Sequence, residues 1–279
     1  MTTSGVSKAI ARFEKTHGLR LLHRSTHALS VTTEGEQLLI EAREALRGVE
    51  RLEDVIAQAA DGGRAGRVRI SAPTAFVRAC LAPVLPRLLA KHPEIRVDIR
   101  SSDSMTDLAD EGVDLALRTG RIDGIPGHVS QTLLTFPWTA CATPAYLAGR
   151  ETPSSPADLA NHELIGFRNS GNGRLEAWRF RSPVRGSEDA IARHEPDARM
   201  IFDDALTAWD MARNGHGIAW APAWLALNDL RQGRVVEVLR EWRYGEMPLS
   251  MVRRERRLTP KRTKTVIAFL ADVANEWRL

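Results

Sequence analysis

The sequence predicts an α/β protein in which a short basic segment and one long helix precede two α/β lobes. Three observations support this. Apolar residues recur at three- and four-residue steps as far as about residue 60, which is typical of a helix face. Beyond residue 66, strand-like segments alternate with helical ones, which indicates a parallel sheet with crossover helices. A length of 279 residues accommodates two compact units and a smaller appendage.

The composition is that of a folded globular protein. Hydrophobic residues make up 43% of the chain and charged residues 27%, which excludes a disordered or collagen-like chain. No apolar run reaches about 18 residues and the N-terminus lacks a secretory signal, so we expect a cytoplasmic protein that does not enter a membrane. Cys80 and Cys141 lack the spacing of a disulfide framework or a metal site, and we expect both to be reduced packing residues.

Basic residues are concentrated near the N-terminus. The first 31 residues contain five Lys or Arg and one acid, and the whole chain has a formal net charge of +4. A second basic cluster occupies residues 253–264. A basic stripe is typical of nucleic-acid binding, although clusters of this size also occur as solvated faces.

The N-terminal segment predicts a helix, a turn and a hairpin. Residues 3–16 place Val6, Ile10 and Phe13 on one helix face, with Thr3 or Ser4 as the N-cap. Residues 23–31 predict two short extended pieces around a polar, basic tip, in the manner of a wing.

A long amphipathic helix follows. Thr33 and Glu36 predict its capping box, and apolar residues continue the helical pattern to about residue 60. The apolar face of a single helix of this length favours pairing with a partner chain over packing along its own domain. Residues 61–66 break the pattern and predict a hinge.

The remainder predicts two lobes with a cleft between them. Strands are expected at 67–72, 95–100, 113–118, 138–142, 163–167, 200–203 and 217–221. Helices are expected at 76–91, 105–111, 205–213 and 261–278. The simplest assembly has one lobe of about 67–138 with 245–279, and a second of about 139–244.

These segments resemble LysR-type transcriptional regulators. Residues 5–24, GVSKAIARFEKTHGLRLLHR, and 29–35, LSVTTEG, are similar to the family's recognition helix, wing and linker-helix start. HPEI at 92–95, GVDLALR at 112–118, ATPAYL at 142–147 and NGHGIA at 214–219 resemble its effector-binding domain. The resemblance implies a partial winged helix-turn-helix at 1–32, a linker and dimerisation helix at 33–61, a hinge at 62–66 and an effector domain of periplasmic-binding-protein type at 67–279. It also implies a homodimer or homotetramer.

The resemblance implies a DNA-binding role for the first segment, since the recognition helix of such a domain enters the major groove. The candidates for base contacts are Thr3, Ser4, Ser7 and Lys8. The candidates for phosphate or minor-groove contacts are Arg12 and the wing residues Arg24, Ser25, Thr26 and His27. Ser4 is equally consistent with a plain helix cap.

The effector site is expected in the cleft, where strand ends and helix N-termini favour a polar or anionic small molecule. The matching positions are Thr74, Ala75, Phe76, Ser102, Arg118 and Thr119 in the first lobe, and Phe167, Arg168, Asp203, Asp204, Ala221 and Pro222 in the second. Arg118 either pairs with a ligand carboxylate or makes a structural ion pair. Phe76 and Phe167 either line the site or pack in the core.

The predicted function is DNA-binding transcriptional regulation modulated by a small-molecule effector bound between the lobes. In the family, a further helix precedes the recognition helix, so we expect a start within a longer reading frame or a shortened chain. The alternative is a cytoplasmic small-molecule-binding dimer that does not bind DNA because its helix-turn-helix is truncated. No phosphate-loop, nucleophile-elbow or zinc-helix motif is present, so we expect no catalysis, cofactor or metal.

Overall fold

The computed structural model describes residues 3–24, 29–61, 64–103, 112–120, 122, 125–169, 172–183, 191–255 and 259–279. The chain divides into two compact units, Met1–Gly62 and Gly63–Leu279. The predicted helix at 105–111 and the predicted wing tip at 25–28 lie outside the described residues.

The first unit contains two helices and a two-stranded ladder. Helix α1 is Thr3–His17, strands β1 (Leu22–Arg24) and β2 (Leu29–Val31) pair antiparallel, and helix α2 is Thr33–Asp61. Glu14 ties the turn to α1, because its Oε1 accepts hydrogen bonds from the backbone N–H groups of Leu21 at 2.8 Å and Leu22 at 3.2 Å.

The cap of α2 lies one residue earlier than predicted. The Thr32 hydroxyl, not that of Thr33, accepts the Gly35 N–H at 3.0 Å, and it donates to the Arg20 carbonyl at 2.6 Å. Thr32 is 4% exposed. Gly35 is required here because a Cβ would lie 2.3 Å from the Leu21 carbonyl oxygen. The cap therefore also fixes the chain that enters β1.

The second unit is built on one large mixed sheet. Its strands in chain order are β3 (Gly66–Ala72), β4 (Ile95–Ser101), β5 (Leu115–Thr119), β6 (His128–Ala142), β7 (Leu164–Phe167), β10 (Met200–Phe202), β11 (Ile218–Pro222), β12 (Val236–Val238) and β13 (Tyr244–Arg254). Strands β8 (Trp178–Arg181) and β9 (Ile191–His194) form a separate antiparallel pair. The order in the sheet is β10-β7-β11-β6-β13-β5-β3-β4, with β12 also on β6.

Helices cover this sheet. Helix α3 (Thr74–Phe76) continues through a π-helical turn (Val77–Leu81) into α4 (Ala82–Lys91). The others are α5 (Pro144–Leu147), α6 (Ala205–Arg213), α7 (Ala223–Arg231) and α8 (Lys261–Val273), with 3₁₀ turns at Pro156–Asn161, Arg240–Trp242 and Ala274–Trp277. Buried residues on β3 and β5 pack under them, and Cys80 and Cys141 are unpaired and buried in the same core.

Parallel and antiparallel pairing occur in different parts of the sheet. β3 pairs parallel with β4 and β5, and β7 with β10 and β11, as the alternation of strands and helices predicts. The long strands β6 and β13 pair antiparallel and connect the two halves. The sequence predicted only residues 138–142 of β6, because the exposed polar stretch that includes Gln131 and Thr132 resembles a loop.

Candidate functional site

A cavity with a volume of about 120 Å³ lies where the two halves of the large sheet meet. A single water molecule needs about 10–15 Å³, so the cavity has room for a small organic molecule. Its walls come from α3, α6 and α7, from the C-terminal parts of β5, β7 and β11, and from two residues within β6. The lining residues are Pro73, Ala75, Asp103, Thr119, Phe136, Trp138, Ile165, Phe167, Ala205, Ala208, Trp209, Ala219, Trp220, Ala221, Pro222, Trp224 and Leu225.

Aromatic rings form much of the wall. The rings of Trp138 and Trp220 stack with centroids 4.3 Å apart and planes 23° apart. Phe136 meets Trp224 edge to face, with centroids 6.0 Å apart. Trp209 is oriented by a hydrogen bond from its Nε1 to the buried Oδ2 of Asp229 at 2.7 Å. The rings are thus held by one another and, for Trp209, by Asp229 outside the cavity, which leaves the cavity preformed.

Asp103 supplies a carboxylate to this apolar cavity. The Thr74 N–H at the start of α3 donates a hydrogen bond to it. Desolvation raises the pKa of Asp103 above its usual range, and the neighbouring Asp204 adds to this effect. The Arg118 charge and the Thr74 N–H oppose it without cancelling it. The sequence interpretation missed Asp103, although its position two residues after β4 was the available signal.

Asp204 is the N-cap of α6. Its carboxylate accepts hydrogen bonds from Thr207 N at 2.9 Å, Thr207 Oγ1 at 2.5 Å and Leu206 N at 3.4 Å. Burial alone would raise the pKa of Asp204, but the hydrogen bonds from Thr207 and Leu206 outweigh burial and lower it. Asp204 does not line the cavity, and its carboxylate caps the helix.

Arg118 and Phe76 belong to the protein interior. Arg118 is 2% exposed, and its guanidinium donates to Ser71 Oγ at 2.7 Å and to the Leu117 carbonyl at 2.8 Å. Phe76 is fully buried and meets Trp224 and Trp277 edge to face, with centroids 5.2 and 5.1 Å away. Neither lines the cavity: Phe76 packs in the core, and Arg118 is hydrogen bonded within the sheet.

The other predicted positions divide into two groups. Ala75, Thr119, Phe167, Ala221 and Pro222 come together at the cavity. Thr74, Ser102, Arg168 and Asp203 do not line it. Arg168 is exposed and donates to the Gly173 carbonyl at 3.0 Å, and Asp203 is exposed beyond β10, so both face solvent. Thr74 contributes its backbone N–H, and the Ser102 N–H donates to the Ala72 carbonyl at 2.9 Å.

The candidate DNA-binding residues lie in the first unit. Ser7, Lys8 and Arg12 are exposed on α1, and Lys8 and Arg12 are four residues apart, on one side of the helix. Thr3 and Ser4 belong to the first turn of α1 and Arg24 ends β1. The side chains of these three, and all of Ser25, Thr26 and His27, lie outside the described residues. Val6 and Phe13 are exposed on the same helix, at 42% and 39%.

Comparison with known proteins now identifies the family. Residues 61–275 match the family model described as the LysR substrate binding domain. The chain belongs to the LysR family of transcriptional regulators. The regulator PtxR of Pseudomonas aeruginosa is 30% identical, over 98% of this chain and 84% of the relative. A LysR-type regulator binds DNA through its helix-turn-helix, and an effector bound in its second domain modulates that binding.

Solved structures of the family have the same architecture. The full-length Vibrio cholerae virulence activator AphB aligns with a TM-score of 0.72 at 21% identity, covering 98% of this chain and 90% of that one. CrgA of Neisseria meningitidis aligns with a TM-score of 0.67 at 25% identity, over the same shares. Within the described part of this LysR-type chain, no helix is long and apolar enough to cross a membrane. Those residues also contain no cluster of three or more potential metal ligands.

Proposed function

We propose that the aromatic cavity is the effector site of this LysR-type regulator. The observation that supports this is the origin of its walls. Thr119 ends β5 in one half of the sheet, Phe167 ends β7 in the other, and β6 joins the two halves. A ligand in this position contacts both halves and stabilises one relative arrangement of them over others. We further propose that the effector is bound and released without chemical change. The location we propose for the protein is the cytoplasm.

A cavity-filling substitution tests the site. Ala205 is the first residue of α6, half-buried and part of the wall, so Ala205→Phe fills space that a ligand needs. We expect this variant to lose effector-dependent changes in DNA affinity while it keeps its basal DNA affinity. Ala268→Phe, on the exposed surface of α8, is the matched control. An unchanged effector response in Ala205→Phe would place the site elsewhere.

We propose that α1 and the wing contact DNA, with Thr3, Ser4, Ser7 and Lys8 at base edges and Arg12, Arg24, Ser25, Thr26 and His27 at phosphates or in the minor groove. Exposed Lys8 and Arg12 on one side of α1 support this. Loss of one phosphate contact lowers the slope of log affinity against log salt by about 0.9.

Titration with DNA from upstream of the protein's own gene, across a salt series, tests this assignment. Lys8→Ala and Arg12→Ala should weaken binding, and the variant that loses a phosphate contact should also show the smaller salt slope. Lys264→Ala removes the same charge from an exposed position on α8 and should leave the slope unchanged. Equal slopes in all three variants would contradict the assignment.

We propose that α2 pairs with α2 of a second copy, as a dimer or as a dimer of dimers. Leu46, Leu52 and Ile56 are 60–65% exposed on a helix of 29 residues, a pattern that a partner helix would cover. Leu46→Glu should shift the light-scattering mass towards the monomer, whereas Gln37→Glu on the same helix should not. A monomeric wild-type chain at micromolar concentration would contradict the pairing.

A further inference from the structure

The charge of the cavity wall discriminates between classes of effector. Among the lining residues in the described part of the chain, Asp103 is the one ionisable side chain. The nearest basic groups have other roles. Arg118 is hydrogen bonded inside the sheet, and exposed Arg78 interacts with Asp204 beside a separate cavity. An anionic ligand would therefore find a carboxylate and no lining cation.

The backbone groups that would attract an anion are also taken. A polar or anionic effector was expected at the helix N-termini of the cleft. The structure places Asp103 on the Thr74 N–H of α3 and Asp204 on the N–H groups of Leu206 and Thr207 of α6. The protein's own carboxylates thus occupy both positions. A third carboxylate nearby would be repelled by both.

The aromatic lining suits the apolar body of a ligand. Trp138, Trp209, Trp220 and Trp224 all line the cavity. Trp138 Nε1 is buried without a hydrogen-bond partner among the described residues, which leaves a donor for an oxygen on the ligand.

The volume of the cavity limits the size of the ligand's apolar part. An apolar protein cavity of about 150 Å³ is known to hold benzene. The volume of about 120 Å³ found here, together with the opening at Asp103, accommodates one ring with a short polar chain.

We propose that the effector is a small organic cation, a protonated amine carried on a single aromatic ring, with the ring among the tryptophans and the ammonium group on the Asp103 carboxylate. This inference rests on the proposed function of the cavity as the effector site. It differs from the expected polar or anionic ligand in the sign of the ligand's charge.

Three compounds that share a phenylethyl group test which ligand charge the cavity prefers. Phenethylamine, phenethyl alcohol and 3-phenylpropanoate differ in the group at the end of the same two-carbon chain. Calorimetry and intrinsic tryptophan fluorescence would measure their binding to the whole chain near neutral pH. We expect the amine to bind at least about tenfold more tightly than the alcohol, and the carboxylate to bind most weakly, because a charge-assisted hydrogen bond accounts for about that factor.

Substitution of Asp103 assigns the effect to one side chain. Asp103→Asn keeps an acceptor for the Thr74 N–H and removes the charge, so it should weaken amine binding about tenfold and leave alcohol binding unchanged. Asp203→Asn makes the same change at an exposed residue that does not line the cavity. It should change neither amine binding nor alcohol binding.

Two results would overturn the proposal in distinguishable ways. Tighter binding of 3-phenylpropanoate than of the amine, or no amine binding at millimolar concentration, contradicts the cationic effector and leaves the cavity assignment intact. Equal binding of the compounds to wild type and to Ala205→Phe contradicts the cavity as the effector site, and with it this inference.

Discussion

Asp229 is a buried carboxylate that holds one wall of the cavity from outside, and its removal gives a graded prediction. The side chain is 4% exposed. Its Oδ2 accepts from Trp209 Nε1 at 2.7 Å and its Oδ1 from Arg234 Nε at 2.6 Å. Asp229→Ala leaves the buried indole N–H without an acceptor, which costs about 1–3 kcal/mol. Arg234 is 45% exposed and regains water, so its loss adds about 0–1 kcal/mol.

The expected loss of unfolding free energy for Asp229→Ala is therefore about 1–4 kcal/mol, with the middle of that range at about 2–3 kcal/mol. Asp229→Asn keeps an oxygen for Trp209 and should lose about 1 kcal/mol. All seven tryptophans lie beyond residue 62, so fluorescence-detected urea unfolding reports on the second unit alone. At about 1–3 kcal/mol per molar urea, the alanine variant should shift the midpoint by about 1 M.

A control and a ranking make this prediction refutable. Glu195→Ala breaks an ion pair with Arg193 in which both side chains are more than 60% exposed, and it should change stability by less than about 0.5 kcal/mol. If Asp229→Ala were no worse than Asp229→Asn, the hydrogen bond to Trp209 would not be the stabilising contact. If both matched Glu195→Ala, the reasoning from burial would fail.

Three further predictions follow from the same geometry. Gly35→Ala should destabilise the first unit by about 1–3 kcal/mol, seen in far-ultraviolet circular dichroism melts, because its Cβ would lie 2.3 Å from the Leu21 oxygen; an unchanged melt would contradict the close approach. Asp204→Ala should cost about 1 kcal/mol as a lost N-cap. Since the pKa of Asp204 is lowered by folding, this difference should persist above about pH 4 and shrink as pH falls through that lowered pKa; a constant difference would contradict the cap. Amine binding, measured by calorimetry, should weaken as pH falls through the raised pKa of Asp103, beginning above the ordinary value of about 3.9, and Asp103→Asn should abolish this dependence.

The sequence predicted those elements whose pattern is local. Helical spacing located α1, α2 and α6, and alternation located β3, β4 and β7, each to within a residue or two. β6 was largely missed because most of its pairing is with β13, more than 90 residues away in the chain. The polar residues of β6 pair with a strand that is distant in the chain. Local periodicity therefore could not extend the predicted strand to His128.

The candidate site shows the same limit at the level of single side chains. A polar residue just after a strand or before a helix can bind a ligand, cap the helix or support the sheet, and all three use the same residue types. The same reasoning therefore named Asp204 and Arg118, which do not line the cavity, and Thr119, which does. The sequence also could not show which tryptophans line one cavity, because Trp138 and Trp209 lie on elements that only the completed sheet brings together.

The two carboxylates at helix starts satisfy backbone N–H groups beside the apolar cavity. Open N–H groups at the start of α3 and α6 would otherwise need water or an anion, at a cost of about 1–3 kcal/mol for each buried donor left unpaired. Asp204 satisfies its helix through local hydrogen bonds, whereas Asp103 reaches Thr74 from a different strand end. An ammonium group can therefore share Asp103 with Thr74 without leaving a donor unpaired, and an effector carboxylate could gain the same N–H only by displacing it.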